Sequence, residues 1–294
     1  MKDVYLLFDR AMNYFNHGKY DDVIKILKQI QSKRHTDYEL NIDVGVMYGM
    51  MGREAEAIGE FRKAIKISPA SPKAHYNLAT IYRDKGFYDG AVLEYKKAIR
   101  LNPSYVDAYI SLGITYKMQS KLDLALKTLR RAQEIDPGNG SISYNLGDVY
   151  GIMGTHAESR KEFEKAIEVF PDDPIVRLNY GEVLGNMGLL EEAIEQFKIA
   201  IDLDSGMPLA YFNLGVAYNE KGLLDKAVKS YHKALELEPE MVEALYKVGL
   251  AYKDVGKGSE AENIFTKITE LGTEDEEVVK LAQDELRKIK GNKS

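Results

Sequence analysis

Two stretches of this chain are close copies of one another. "YNLATIYRDKGFYDGAVLEYKKAIRLNP" at 76–103 and "FNLGVAYNEKGLLDKAVKSYHKALELEP" at 212–239 agree at 13 of 28 positions without a gap, and they lie 136 residues apart, four times 34. A sustained period of that length constrains the fold more than any other feature. One supersecondary unit is repeated, each copy is too small to bury its own apolar face, and the core must run on through its neighbours. Frames opened at Val4, Tyr38, Pro72, Val106, Gly140, Pro174, Pro208 and Val242 align eight units with no insertion or deletion.

The columns give each unit its form. A small residue recurs at Ala11, Gly45, Ala79, Gly113, Gly147, Gly181, Gly215 and Gly249, and three residues later comes a large one: Tyr14, Tyr48, Tyr82, Tyr116, Tyr150, Leu184, Tyr218 and Tyr252. That spacing is one helical turn on one face. A second small column, Val23, Ala57, Ala91, Ala125, Ser159, Ala193, Ala227 and Ala261, leads by four residues to Leu27, Phe61, Tyr95, Leu129, Phe163, Phe197, Tyr231 and Phe265, which predicts a second amphipathic helix. Between the two stands a glycine in every unit except the fourth, which has Ser120, where a left-handed residue ends a helix. All eight prolines fall at unit boundaries, as a helix interior that rejects proline by about 3 kcal/mol requires. The expected divisions are 4–37, 38–71, 72–105, 106–139, 140–173, 174–207, 208–241 and 242–273, with a closing amphipathic helix at 274–290.

These columns resemble the tetratricopeptide repeat family, through "LGITY" at Leu112, "LGDVY" at Leu146, "LGVAY" at Leu214, the alanine-to-aromatic step and the closing prolines. The resemblance implies an all-α, right-handed superhelical solenoid of antiparallel helix hairpins with a C-terminal capping helix, its first helices lining a concave face. The family's tryptophan is replaced throughout, by Leu7, Asn41, His75, Tyr109, Ser143, Arg177, Tyr211 and Leu245, a departure expected to weaken individual units.

The acidic and basic residues number 46 and 40, a net charge of −6, without the basic excess that nucleic acid or an anionic membrane requires. The absence of cysteine excludes disulfides and thiolate chemistry. The N-terminal residues lack the apolar core of a secretory signal, and the longest uncharged run, 205–219, is too short for a bilayer. A cytoplasmic protein without membrane spans is expected. The five histidines, His17, His35, His75, His156 and His232, show no metal-ligand spacing, and His75 falls in a core column. No phosphate-binding glycine loop occurs, and the repeats leave no room for a catalytic domain. The expectation is a non-enzymatic chain without cofactor or metal.

On the first helices, the position opposite the packing seam carries Asp9, Asp43, Asn77, Ser111, Asn145, Asn179, Asn213 and Lys247, all polar. An asparagine offers a donor and an acceptor together, so it pairs with a peptide group whatever side chain the peptide bears. With first helices about 10 Å apart, an extended strand meets a new rung roughly every three residues. This arrangement resembles the asparagine ladder in the superhelical repeats of O-linked N-acetylglucosamine transferases. The preceding column, Phe8, Ile42, Tyr76, Ile110, Tyr144, Leu178, Phe212 and Tyr246, is apolar; each side chain is expected to pack partly on its neighbour and partly to flank the groove. It holds no lysine, which sets aside the carboxylate clamp that some chaperone-binding repeats use. The residues predicted to bind peptide are thus Asn77, Ser111, Asn145, Asn179, Asn213 and Lys247 with Tyr76, Tyr144, Phe212 and Tyr246. Acidic side chains predominate on the face, so a neutral to weakly basic extended segment of another protein is the expected partner. Alternatives are a self-assembling scaffold and the recognition arm of a larger enzyme.

Overall fold

The computed structural model describes residues 2–33, 37–271 and 275–291. His35 and the expected junction at 273/274 lie outside those residues. Among the described residues there are seventeen α-helices and no strand, and the chain divides into two compact units, 1–149 and 150–294. The first contains α1 (Lys2–Asn16), α2 (Tyr20–Lys33), α3 (Tyr38–Met50), α4 (Glu54–Ile67), α5 (Pro72–Asp84), α6 (Tyr88–Leu101), α7 (Val106–Met118), α8 (Leu122–Ile135) and most of α9 (Gly140–Ile152). The second continues with α10 (His156–Val169), α11 (Pro174–Asn186), α12 (Leu190–Leu203), α13 (Pro208–Glu220), α14 (Leu224–Leu237), α15 (Val242–Asp254), α16 (Gly258–Glu270) and α17 (Glu276–Gly291).

Local chemistry places the helix ends. Asp37 accepts from the Leu40 N–H (3.3 Å), Ser71 from Ala74 (3.3 Å), and Asp173 from Ile175 (2.8 Å) and Val176 (3.2 Å), each satisfying donors that a first turn leaves over. Pro72, Pro174 and Pro208 open α5, α11 and α13, where no N–H is needed. Within each hairpin the chain reverses through one left-handed residue. Gly188 at φ 74° is typical: the following N–H, of Leu189, reaches back to the Leu184 carbonyl at 2.9 Å. Ser120 adopts the same conformation at φ 58°, the single non-glycine residue with positive φ among the described ones.

In the first unit α3 packs on α4, α5 on α6 and α7 on α8, while α4 also meets α5 and α6 meets α7; the first helices α3, α5 and α7 lie side by side. The second unit repeats the scheme through α11–α12, α13–α14 and α15–α16. The small residues admit this approach. A Cβ added to Gly181 would lie 2.6 Å from the Phe197 ring, one on Gly215 2.5 Å from Tyr231, and one on Gly113 2.7 Å from Leu129. Phe197, Tyr231 and Leu129 are buried there, and burial of a side chain of that size contributes about 1.5–3 kcal/mol. Helix α17 lays Val278, Val279, Ala282 and Leu286 over the cluster of Leu245, Ala261, Phe265 and Ile268. The apolar ends of α15 and α16 are thereby covered.

Two members of the tryptophan-replacing column make directional bonds across the hairpin. His75, 5% exposed, is hydrogen-bonded through Nδ1 to Glu94 Oε2 (2.5 Å) and donates from Nε2 to the Pro69 carbonyl (3.1 Å). Three units further along the same column, Arg177 donates to the Pro171 carbonyl (2.9 and 3.1 Å) and to Gln196 Oε1 (2.9 Å). In both hairpins the replacement ties the first helix to the second helix and to the proline turn before it. It substitutes directional bonds for the apolar contact that a tryptophan would make.

Candidate functional site

The seam residues of α13, Leu214, Gly215 and Tyr218, are buried, and Asn213 on the other side of the helix is half-buried. The polar column therefore lies along the first-helix face, although its members differ in setting. Asn77 is half-buried and donates its amide to the Lys73 carbonyl (2.9 Å); Asn145, 8% exposed, donates to Ser141 (2.7 Å). In both, the amide is held one turn back and the side-chain oxygen is left as acceptor. Ser111 is 6% exposed, with its hydroxyl 3.5 Å from the Tyr76 hydroxyl. Asn213 reaches across to the preceding first helix and donates to Glu182 Oε1 at 2.7 Å. Asn179 and Lys247 are half-buried.

The aromatic column is bound up with hairpin packing. Tyr76 lies 5.7 Å from Tyr95 and 5.1 Å from Tyr105, Phe212 lies 5.8 Å from Tyr231, and Tyr246 lies 5.8 Å from Phe265. These are distances at which ring pairs attract beyond area burial. Burial, with Tyr76 and Asp107 alongside, pushes the Tyr105 phenol up to about 12. Tyr76, Tyr144, Phe212 and Tyr246 remain half-buried.

Charges on this face are largely matched within the chain. Lys73 pairs with Asp43 (3.4 Å), Arg83 with Asp84 (2.9 Å), Lys117 with Asp148 and Lys253 with Glu285. Burial works against the charge of Arg83, but Tyr95, Asp84 and Tyr76 more than offset it and its pKa lies above the ordinary value.

One feature escaped the columns. In the second unit α11, α12 and α13 line an open cleft of about 270 Å³, with Gly185, Asn186, Phe197 and Val216 in its walls and Glu182, Asn213 and Glu220 bearing polar atoms. A Cβ on Gly185 would meet nothing within 4 Å. Unlike the seam and turn glycines, Gly185 is neither a helix contact nor a left-handed turn. The signal was present in the sequence, because the same column carries Arg83, Lys117 and Lys253.

The described residues contain no group of three or more His, Asp and Glu placed to hold a metal, and no described helix is long and apolar enough to cross a membrane. Stacked two-helix hairpins with a polar stripe along their first helices define a repeat protein of the protein-interaction class. Family profiles agree: "TPR repeat" matches 79–120 and 187–222, and "Tetratricopeptide repeat" matches 208–241 in one form and 106–139 and 141–173 in another. No curated protein matches the chain in sequence. Among solved structures, YrrB, described as a TPR protein with an unusual peptide-binding site, is 28% identical over 63% of this chain and 95% of its own, with a TM-score of 0.54. MamA is 30% identical over 56% of this chain and 97% of its own, TM-score 0.52. A chain of the APC/C hetero-tetramer Cut9-Hcn1 shares the fold alone, at 17% identity and TM-score 0.68; this chain spans 55% of its length. The protein belongs to the tetratricopeptide repeat family. That family consists typically of non-catalytic scaffolds with protein or peptide partners.

Proposed function

We propose that the first helices of each unit bind an extended segment of another protein, with Asn179, Asn213 and Lys247 as contacts in the second unit and Asn77, Ser111 and Asn145 in the first. The reading is carried by the polar stripe, which returns every 34 residues on first helices whose opposite sides are sealed in the core. A strand running past these helices presents peptide groups at intervals that the rungs match. Asn77 and Asn145 offer side-chain oxygens to its N–H groups, and half-buried Tyr76, Tyr144, Phe212 and Tyr246 flank its side chains. The paired lysines and arginine leave a face with an acidic balance, which suits a neutral to weakly basic segment. The likeness to YrrB, whose structure is described by its peptide-binding site, supports the same direction.

The test is the double variant Asn179→Ala/Asn213→Ala, measured beside wild type for binding to dodecapeptides selected from a random displayed library. Each lost rung is expected to weaken Kd by roughly fivefold, about 1 kcal/mol. Helical content should be unchanged and the thermal midpoint should move by no more than a few degrees. Undiminished binding by the double variant would remove the asparagines from the site.

A further inference from the structure

The first helices differ at one point that bears on what a bound segment carries. In three other units the column of Gly185 holds a cation of the chain's own: Arg83, which pairs with Asp84; Lys117, which reaches Asp148; and Lys253, which reaches Glu285. In the remaining glycine cases the space is taken. A Cβ on Gly49 would lie 3.3 Å from the Ile81 side chain, and one on Gly151 would lie 3.4 Å from Ser159 and 3.6 Å from Val183. Gly185 alone of these has no neighbour within 4 Å, and the room it leaves opens onto two carboxylates, Glu182 and Glu220. The lysine next to Glu220, Lys221, is already engaged by Glu191.

We infer that the cleft between α11 and α13 is a specificity pocket for one lysine or arginine side chain of the bound segment. This rests on the reading of the first-helix face as the peptide site. The ligand's side chain would enter the room that three other units fill with a side chain of their own. Phe197 and Val216 give the aliphatic stem an apolar wall, while the charged head meets Glu182 and Glu220. Asn213 holds Glu182 in place through its 2.7 Å hydrogen bond and keeps its own oxygen as a further acceptor. A carboxylate of the ligand would face two like charges here, so the pocket discriminates by charge as well as by shape.

The experiment selects dodecapeptides from a random displayed library on wild-type protein, then resynthesises the best binders with each lysine replaced by norleucine and each arginine by citrulline. One basic position per peptide is expected to matter, with a loss of about tenfold in Kd. In Gly185→Leu, which fills the cleft, and in Glu220→Gln, which removes an exposed charge, that dependence should fall below about twofold. Gly185→Leu is expected to fold at least as well as wild type, because its Cβ meets open space and leucine favours a helix more than glycine does. Glu220→Gln provides the answer should it fold poorly. Peptides that bind equally well with norleucine and citrulline, or that keep their basic dependence in both variants, would overturn the pocket and leave the peptide-binding face standing. A library that yields no binder to wild type would overturn both.

Discussion

The hairpins α5–α6 and α11–α12 are built on the same columns, yet one is closed where the other is open. In the first, the buried Tyr95 hydroxyl lies 3.1 Å from Thr80 Oγ1, and Arg83 stands beside both Tyr95 and Tyr76. In the second, those positions hold Phe197, Glu182 and Gly185: no hydroxyl, a carboxylate in place of a threonine, and no side chain in place of arginine. The backbones perform the same turn and the same seam packing. A repeat can therefore vary its first-helix surface while keeping its interior, because the two are opposite sides of one helix.

The sharpest way to break the comparison uses two glycines one turn apart on α11. Gly181→Leu drives a side chain into the Phe197 ring, already 2.6 Å from a bare Cβ, and is expected to cost about 1–3 kcal/mol or more in thermal or denaturant unfolding. The loss should extend to adjoining hairpins, since repeats share interfaces. Gly185→Leu should show no loss. Equal destabilisation by the two would mean that α11 does not separate a core side from an open one.

Next in size is His75→Leu. It removes the donor to Pro69 and one of the two partners of buried Glu94, the other being Lys97, with an expected cost of about 2 kcal/mol in the first unit. If the cost is negligible, the tie in the tryptophan column is not holding the hairpin. Tyr95→Phe is a smaller step, expected to lose about 1 kcal/mol with the Thr80 hydrogen bond. Its counterpart Tyr231→Phe deletes a buried hydroxyl that has no hydrogen-bond partner in the structure, and should be neutral or slightly stabilising. Matching losses in the two would show that Tyr231 has a partner after all. The smallest effect belongs to Ser120→Gly. With φ at 58° the serine is strained, and glycine should raise stability by about 0.5–1 kcal/mol, readable as a small rise in the unfolding midpoint.

Most of the fold was legible in the chain itself. A 34-residue period, small residues facing large ones, and turn residues free to adopt positive φ are local or near-local constraints, and each repeats until chance alignment is excluded. The positions of Ser120 and of Pro72, Pro174 and Pro208 needed no tertiary information, because left-handed backbone and the missing proline N–H act within a turn. The polar stripe was legible for the same reason: residue angle on a helix follows from sequence spacing. Three things were decided only by tertiary structure. His75 and Arg177 acquired partners 19 residues away and a carbonyl across a turn, which no column records. Asn145 and Ser111 proved nearly buried, because accessibility depends on the helices beside them. Gly185 opened a cleft because no neighbour reaches into the space it leaves, whereas Ile81 reaches toward Gly49; identical residues in one column meet different surroundings once the hairpins are stacked.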